Sequence, residues 1–398
     1  MKKGLIILAA AAVLTLTACG GKQDTDVLNV YNWGEYISDG SEGSLDVNKE
    51  FEEYYFEQHG RKLKLNYTTY ASNEDMYNKL KSGGVSYDLI IPSDYMIEKM
   101  RNEDMLLKLD FENIPNFKYI DEQYKNAYYD PESEYTVPYF CGYIGIIYNS
   151  ALTDGEPDDW DCLWDENYSG QILQFNNPRD AFGTAMYWQN IDVNTTDTAL
   201  WRSSMELLKQ QKPLVQGYVM DEIFNKMKNG SAAIVPYYAG DYLTMYEDNE
   251  DLAFFYPKSG TNIFVDAMCI PSCAKNKEIA EEYINFCLSE DIAVANAEYV
   301  CYASPNVLVK DNQTYIDYMS EIHENAVDIL YPEGGIKSSY YENLDPDTTN
   351  TLNSLWEELK IENAVEPWVY IFSGGIVFLI LMLLLYKFIK RKIDEKYY

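Results

Sequence analysis

The chain has 398 residues, and its 31 Lys and Arg against 64 Asp and Glu give a formal net charge of −33. This charge argues against nucleic acid as a partner, because phosphate binding needs a basic face. Only two His are present, which disfavours most imidazole metal sites and His-activated nucleophiles. With 47% hydrophobic residues and 37 Tyr, the composition predicts folded domains, two or three at this length.

The N-terminal residues are typical of a secretory signal. Lys2 and Lys3 precede the uncharged apolar stretch 5–16, and Cys19 follows a small residue. The segment 16–19 resembles the lipobox of bacterial lipoproteins, in which the Cys is acylated and becomes the mature N-terminus. We therefore expect a signal peptide over residues 1–19, lipidation at Cys19 and a linker over 20–26. A plain signal peptide with an incidental Cys is the alternative.

Apolar segments that alternate with amphipathic ones follow from residue 27 onward. The first half of the body predicts strands over 27–31, 63–67 and 87–91, a loop over 32–36, and helices over 44–58 and from 73 through 80. The second half predicts strands over 143–148, 173–175, 232–235 and 264–270, a helix opening at 177–180, and a helix over 277–288. This alternation predicts α/β layers, in which ligands bind at the carboxyl ends of strands.

A second membrane signal lies near the C-terminus. Residues 368–386 contain no charge and carry aromatic residues at both ends, which predicts a transmembrane helix. Lys387, Lys390 and Arg391 follow immediately, so the positive-inside rule predicts a cytoplasmic tail over 387–398. A buried core helix is the alternative. The body is then expected on the outer face of the cell membrane, with an anchor at each end.

The cysteines other than Cys19 show no CxxC spacing and have no nearby His to complete a zinc site, so no metal is expected. They are Cys141, Cys162, Cys269, Cys273, Cys287 and Cys301. Disulfides are chemically permitted outside the cell, and single buried thiols are equally open.

Five short motifs in the body together carry a resemblance to a known family. They are residues 31–36 (YNWGEY), 70–76 (YASNEDM), 87–95 (YDLIIPSDY), 137–139 (VPY), and 270–271 with 274–277 (IP and AKNK). In this order and spacing, the body resembles the spermidine/putrescine-binding proteins of bacterial polyamine ABC importers. The resemblance covers most of residues 27–360.

The resemblance implies the two-lobed, type II periplasmic-binding α/β fold, with crossing hinge strands and the ligand between the lobes. Lobe 1 would comprise 27–140 with roughly 268–312, and lobe 2 would comprise 141–267 with roughly 313–362. It implies a binding protein without enzymatic activity or cofactor, which delivers polyamine to a membrane permease. The chain shows no Gly-rich phosphate loop, so the ATPase is expected to be a separate cytoplasmic chain.

Positions that match the family's motifs supply a set of candidate ligand-binding residues. These are Trp33, Glu35, Tyr36, Ser93, Tyr95, Asn177, Asp180, Tyr238, Phe264, Asp266, Tyr302 and Glu342. We expect Asp266 to be the main ammonium anchor. Tyr238 and Phe264 stand where the family usually has Trp. Asn177 stands where many members have Asp, and the loss of that charge leaves putrescine open beside spermidine.

The chemistry of a polyamine explains why such residues are grouped. Its ammonium groups need carboxylates, since charge-assisted hydrogen bonds are the strong ones. Its methylenes suit aromatic walls, which also offer cation–π contacts worth about 0.5–2 kcal/mol. Two other classes stay open: a binding protein for another solute such as a sugar stacked on aromatics, and an extracytoplasmic hydrolase with paired carboxylates.

Overall fold

The computed structural model describes residues 25–332, 335–361, 381–384, 387 and 389–391. Its strands are β1 (Asp26–Trp33), β2 (Leu63–Tyr70), β3 (Leu89–Ile90), β4 (Thr136–Asn149), β5 (Ile172–Phe175), β6 (Val215–Val219), β7 (Ile234–Tyr238), β8 (Leu252–Phe255), β9 (Thr261–Cys269) and β10 (Ser338–Ser339). The predicted alternation of strands and helices is therefore present through the body.

The described residues contain thirteen α-helices, of which the sequence predicted four, those that begin at Val47, Asn73, Pro178 and Lys277. They are α1 (Val47–His59), α2 (Asn73–Lys81), α3 (Asp94–Asn102), α4 (Pro178–Trp188), α5 (Thr198–Gln211), α6 (Glu222–Lys228), α7 (Ala239–Tyr246), α8 (Lys277–Cys287), α9 (Glu290–Val300), α10 (Val307–Lys310), α11 (Gln313–Ile322), α12 (Ala326–Leu330) and α13 (Pro346–Ile361).

The chain divides into two compact units, each made of discontinuous segments. Among the described residues of the body, 25–142 and 264–332 form the first unit, and 143–263 and 335–361 form the second. Two of the boundaries fall inside strands β4 and β9. Residues 313–332 group with the first unit, where the sequence analysis expected them with the second lobe.

The first unit is built on β1, which pairs in parallel with β2 on one side and β3 on the other. β3 then pairs antiparallel with β9 through Ile90 and Cys269. Leu28 and Val30 of β1 are fully buried and form part of the core. A buried, mostly parallel sheet of this kind explains the nearly continuous apolar runs in the sequence.

Three strands and helices of this unit begin or end at residues other than those predicted, and each difference has a local reason. Asn32 and Trp33 were predicted in a loop but belong to β1, because they pair with residues 69 and 70 of β2. The first helix begins at Val47 rather than residue 44, since Asp46 caps it by accepting from the Lys49 amide at 3.0 Å. β3 is confined to two residues, because Asp88 before it accepts side-chain and backbone donors from Asn29.

The second unit has β5 paired in parallel with β6 and with β7. The second half of β4 pairs antiparallel with both β7 and β8. Gly145 of β4 is required there, because a Cβ at this position would lie 2.2 Å from the Phe254 ring. β10 pairs in parallel with β9, and Ser338 lies opposite Thr261.

Both predicted membrane anchors lie largely outside the described residues. Residues 1–19 with Cys19, and 368–380 with 385–386, belong to the part that is not described. The side chains of residues 381–384, which are helical, are 51–60% exposed. Among the residues that the structure describes, no helix combines the length and hydropathy needed to cross a bilayer.

The six cysteines of the body are thiols, and no disulfide joins them. Five of them are buried and Cys273 is half-buried. Of the two alternatives that the sequence left open, the structure has the single thiols.

Candidate ligand-binding site

Asp266 lies at the centre of a cluster in the first unit. Its side chain is 5% exposed, and its Oδ2 accepts a 2.8 Å hydrogen bond from the Tyr36 hydroxyl. Burial, and then the charge of Asp266, raise the pKa of Tyr36 well above its usual value. Tyr36 therefore stays protonated and acts as a fixed donor to the carboxylate.

Aromatic rings surround this pair. The Tyr36 ring meets Tyr302 edge-on with centroids 5.1 Å apart, and Phe140 in the same way at 5.4 Å. Phe264 in turn contacts Tyr302 at 6.1 Å. The structure thus brings together four residues of the predicted set, Tyr36, Phe264, Asp266 and Tyr302. Such edge-on arrangements are the preferred geometry of aromatic pairs.

Two further aromatic residues of this cluster were missed by the sequence analysis. Tyr139 and Phe140 both pack on the Tyr36 ring, and the Tyr139 hydroxyl donates to the Tyr36 carbonyl at 3.1 Å. Tyr139 belongs to the Val-Pro-Tyr motif, which was used only as a marker of the family. Both lie in β4 before the strand predicted over 143–148, and their local pattern gave no sign of which rings they would meet.

Ser93 enters the cluster through the backbone, because it forms an antiparallel bridge with Asp266. Asn73, at the start of α2, fixes this loop. Its Nδ2 donates to the Ser93 Oγ and the Tyr95 hydroxyl, both at 3.1 Å, and its Oδ1 accepts from the Ser93 amide. Tyr95 also donates to the Glu74 carboxylate at 3.0 Å. Asn73 is a positioning residue that the sequence did not single out.

Trp33 is the last residue of β1, and Glu35 lies in the turn that follows it. The Trp33 Nε1 donates to the Ile91 carbonyl at 2.9 Å, and its ring packs on Tyr70 at 4.6 Å. Trp33 is thereby tied to the segment that leads into Ser93. Glu35 is exposed and adopts a left-handed conformation with φ 47°.

Asp180 is the corresponding carboxylate of the second unit, and it lies in the first turn of α4. Asn177 caps this helix, accepting from the Asp180 amide at 2.8 Å and donating from Nδ2 to Oδ2 at 2.8 Å. The Tyr238 hydroxyl donates to the same oxygen at 2.8 Å. Asn177, Asp180 and Tyr238, all predicted, are therefore in direct contact.

Tyr341 is a further partner of Asp180. The sequence did not single it out and indicated the adjacent Glu342 instead. Its hydroxyl hydrogen bonds to the Asp180 carboxylate. Burial raises the pKa of Asp180, while the hydrogen bonds from Asn177, Tyr238 and Tyr341 oppose that rise. Glu342, which was predicted, has an exposed side chain, and its backbone is what holds the segment in place.

Arg179, in the first turn of α4, binds the segment that carries Tyr341 and Glu342. Its Nη2 donates to the Glu342 carbonyl at 3.1 Å and to the Asn194 Oδ1 at 2.8 Å. The guanidinium lies over the Tyr341 ring at 4.6 Å and over Trp201 at 5.7 Å. Arg179 thus fixes the ring whose hydroxyl reaches Asp180, a stacked geometry to which Lys is poorly suited.

The candidate residues of each unit therefore centre on a buried carboxylate, Asp266 or Asp180, that is oriented by neutral donors and lies beside aromatic rings. Such a carboxylate favours a cation that can donate hydrogen bonds, because a buried charge needs a partner. Residues 86–320 match the family model described as bacterial extracellular solute-binding protein. The chain belongs to this family.

Individual relatives extend the similarity over most of the chain. The spermidine/putrescine-binding periplasmic protein of Salmonella typhimurium is 33% identical over 306 residues, which cover 76% of this chain and 84% of that protein. The putrescine-binding periplasmic protein PotF of Escherichia coli is 25% identical over 381 residues, or 90% of this chain and 98% of that protein.

A solved structure shows the same fold. The spermidine/putrescine ABC transporter substrate-binding protein PotD of Streptococcus pneumoniae is 31% identical, with a TM-score of 0.67 over 85% of this chain and 99% of that one. The predicted α/β solute-binding fold of two lobes is confirmed. Membership of the solute-binding family also confirms the prediction of an extracytoplasmic binding protein rather than an enzyme.

Proposed function

We propose that this protein binds a polyamine, spermidine or putrescine, outside the cell and delivers it to an ABC importer. The observation that carries the proposal is Asp266, a buried carboxylate held by the Tyr36 hydroxyl inside a cluster of aromatic rings. The names of the relatives, which bind spermidine and putrescine, support the same class of ligand.

The ammonium group of a polyamine can donate to Asp266 while its methylenes lie against the Tyr302 and Phe264 rings. In the second unit, the buried Asp180 is a comparable carboxylate to which an ammonium group can donate. A neutral sugar would bring no counter-charge to either carboxylate. Removing water from a carboxylate costs several kcal/mol unless a cation replaces it, so the site favours a cationic ligand.

Asn177 bears on which polyamine is preferred. It donates to Asp180 and adds no negative charge beside it. The second unit therefore offers one carboxylate at this helix start where many family members offer two acids. This supports putrescine, with two charges, as a ligand at least equal to spermidine, with three.

The two membrane anchors belong to the same proposal. Cys19 would carry a lipid, residues 368–386 would cross the membrane, and the tail from 387 would lie in the cytoplasm. A binding protein held in this way stays close to one permease, whose ATPase is a separate chain. Mass spectrometry of protein extracted from membranes tests both ends: an unmodified Met1, or a chain clipped before residue 368, would contradict the double anchor.

Calorimetry of the purified body with putrescine, spermidine, maltose and a chromogenic glycoside tests the ligand class. We expect heat of binding with the polyamines alone and no turnover of the glycoside. Asp266→Asn should weaken polyamine binding at least tenfold, because loss of one partner of a desolvated charge pair costs about 2–5 kcal/mol.

Asp317→Asn is the matched control for this variant. Asp317 lies exposed on α11 in the same unit, so the variant removes an equal charge away from the cluster. We expect it to bind polyamine as the unmodified protein does. Binding to maltose alone, or equal losses in the two variants, would reject the assignment.

A further inference from the structure

Asp94 is another buried carboxylate of the first unit, and the backbone on both sides links it to Asp266. Asp94 is the first residue of α3 and is 1% exposed. Its Oδ2 accepts from the amide of Val265 at 3.2 Å, and its Oδ1 accepts from the amide of Tyr95 at 2.7 Å. Ser93, the residue before it, bridges to Asp266. The two aspartates are thus fixed by the same strand-to-helix junction.

The groups that face Asp94 from the surrounding elements are acids and phenols. Asp266 of β9 acts on it electrostatically, and the Tyr128 hydroxyl from the loop before β4 hydrogen bonds to it. Glu98 on α3 and the neighbouring Tyr129 act on Tyr128 in turn. None of these groups is a cation. The negative charge of Asp94 therefore meets further negative charge.

Burial raises the pKa of Asp94 well above its usual value, and the charge of Asp266 raises it further, against the lowering effect of the Tyr95 and Val265 amides. Two carboxylates that share a buried site cannot both ionise cheaply, and they titrate as a pair. Burial, and then the charge of Asp266, raise the pKa of the Tyr36 and Tyr70 phenols, which therefore stay neutral.

We propose that Asp94 and Asp266 together hold one proton in the unliganded protein and release it when an ammonium group binds to Asp266. This inference rests on the proposed function. The step breaks one carboxylic O–H bond, the proton passes to solvent, and no electron moves. The pair then carries two negative charges, which the bound cation stabilises. Asp94 is a positioning and charge-supplying residue that does not itself touch the ligand.

Proton release makes polyamine affinity depend on pH in a defined direction. A polyamine competes with the proton of the pair, so affinity rises as the pH increases through the titration of the pair. The ligand itself stays charged over this range, because alkyl ammonium groups lose their proton only near pH 10. A binding site with Asp266 alone would show a flat profile near neutral pH.

Calorimetric titration with putrescine in phosphate and in Tris, both at about pH 7.5, measures the released protons, since the two buffers differ in ionisation enthalpy. We expect release of a substantial fraction of one proton per putrescine from the unmodified protein. Asp94→Asn should still bind putrescine but release close to none. A variant with both His59→Gln and His323→Gln is the control, because these are the only imidazoles, and it should release as many protons as the unmodified protein.

The outcomes separate this inference from the proposed function. No heat with any polyamine would overturn both. Binding with heat that is identical in the two buffers would overturn the shared proton and leave polyamine binding intact, and so would unchanged release from a folded Asp94→Asn. Should Asp94→Asn fail to fold, the comparison of the two buffers with the unmodified protein still tests whether protons are released. Tyr128→Phe, which keeps the ring, should alter the number of protons released per putrescine.

Discussion

The Tyr36 hydroxyl donates to Oδ2 of Asp266 at 2.8 Å, although 230 residues separate the two in sequence. One comes from the turn after the first strand of the unit and the other from its last strand. Their contact orients the carboxylate, because the hydroxyl donates to one fixed oxygen of Asp266. This relationship leads to the first prediction.

Tyr36→Phe should weaken putrescine binding about tenfold or more, because a hydrogen bond to a charged group contributes about 1.5–3 kcal/mol. The fold should persist, since the ring keeps its contacts with Tyr139, Phe140 and Tyr302. Calorimetry measures the change. Tyr55→Phe is the matched control, because its hydroxyl donates to Asp26 outside the cluster. Equal putrescine affinity in the two variants would show that the Tyr36 hydroxyl does not contribute to the binding site.

Asn177→Asp tests whether the amide limits the preference for spermidine. The added carboxylate replaces a donor to Asp180 by a like charge, which a third ammonium group can compensate. We expect the ratio of spermidine to putrescine affinity to rise at least threefold in competition calorimetry. Asn176→Asp adds the same charge at an exposed neighbour that already faces Lys360, and it should leave the ratio unchanged.

Gly183→Ala should disturb Asp180 indirectly. A Cβ at Gly183 would lie 2.2 Å from the Tyr341 hydroxyl, so Tyr341 must move from its place beside Asp180. We expect a loss of about 1–3 kcal/mol in the free energy of unfolding, as for other overpacked positions, together with weaker polyamine binding. Urea unfolding and calorimetry measure both. Gly217→Ala, where a Cβ meets nothing within 4 Å, should change putrescine affinity little; an equal loss there would argue against a role for Tyr341.

The free energy of unfolding of the unliganded protein should also depend on pH because of the buried Asp94. Its pKa is raised in the folded state, so between the unfolded value near 3.9 and the raised value the folded protein binds more protons. The stability that protonated Asp94 contributes is therefore present at low pH and is lost as the pH rises. Asp94→Asn, neutral at every pH, should flatten this decline in urea unfolding between about pH 5 and pH 8. Parallel profiles for the two proteins would contradict the raised pKa.

The sequence by itself determined the local elements and the class of protein. Apolar spacing predicted strands and helices, and α2 begins at Asn73 as predicted, although the residue that caps it is Ser72. Composition argued against nucleic acid, and the ordered motifs identified the family. These features are local, because periodicity and capping depend on residues a few positions apart.

Only the tertiary structure decided which side chains meet. Tyr139, Asn73, Tyr341 and Asp94 all contact predicted site residues, and nothing in their local pattern distinguishes them from core residues. The pairing of Ser93 with Asp266 joins residues from the two separate segments of the first unit. Such neighbours depend on strand register between distant segments, which local periodicity does not encode. The charge of −33 was visible from the start, but the burial that gives Asp94, Asp180 and Asp266 their chemistry exists only in the fold.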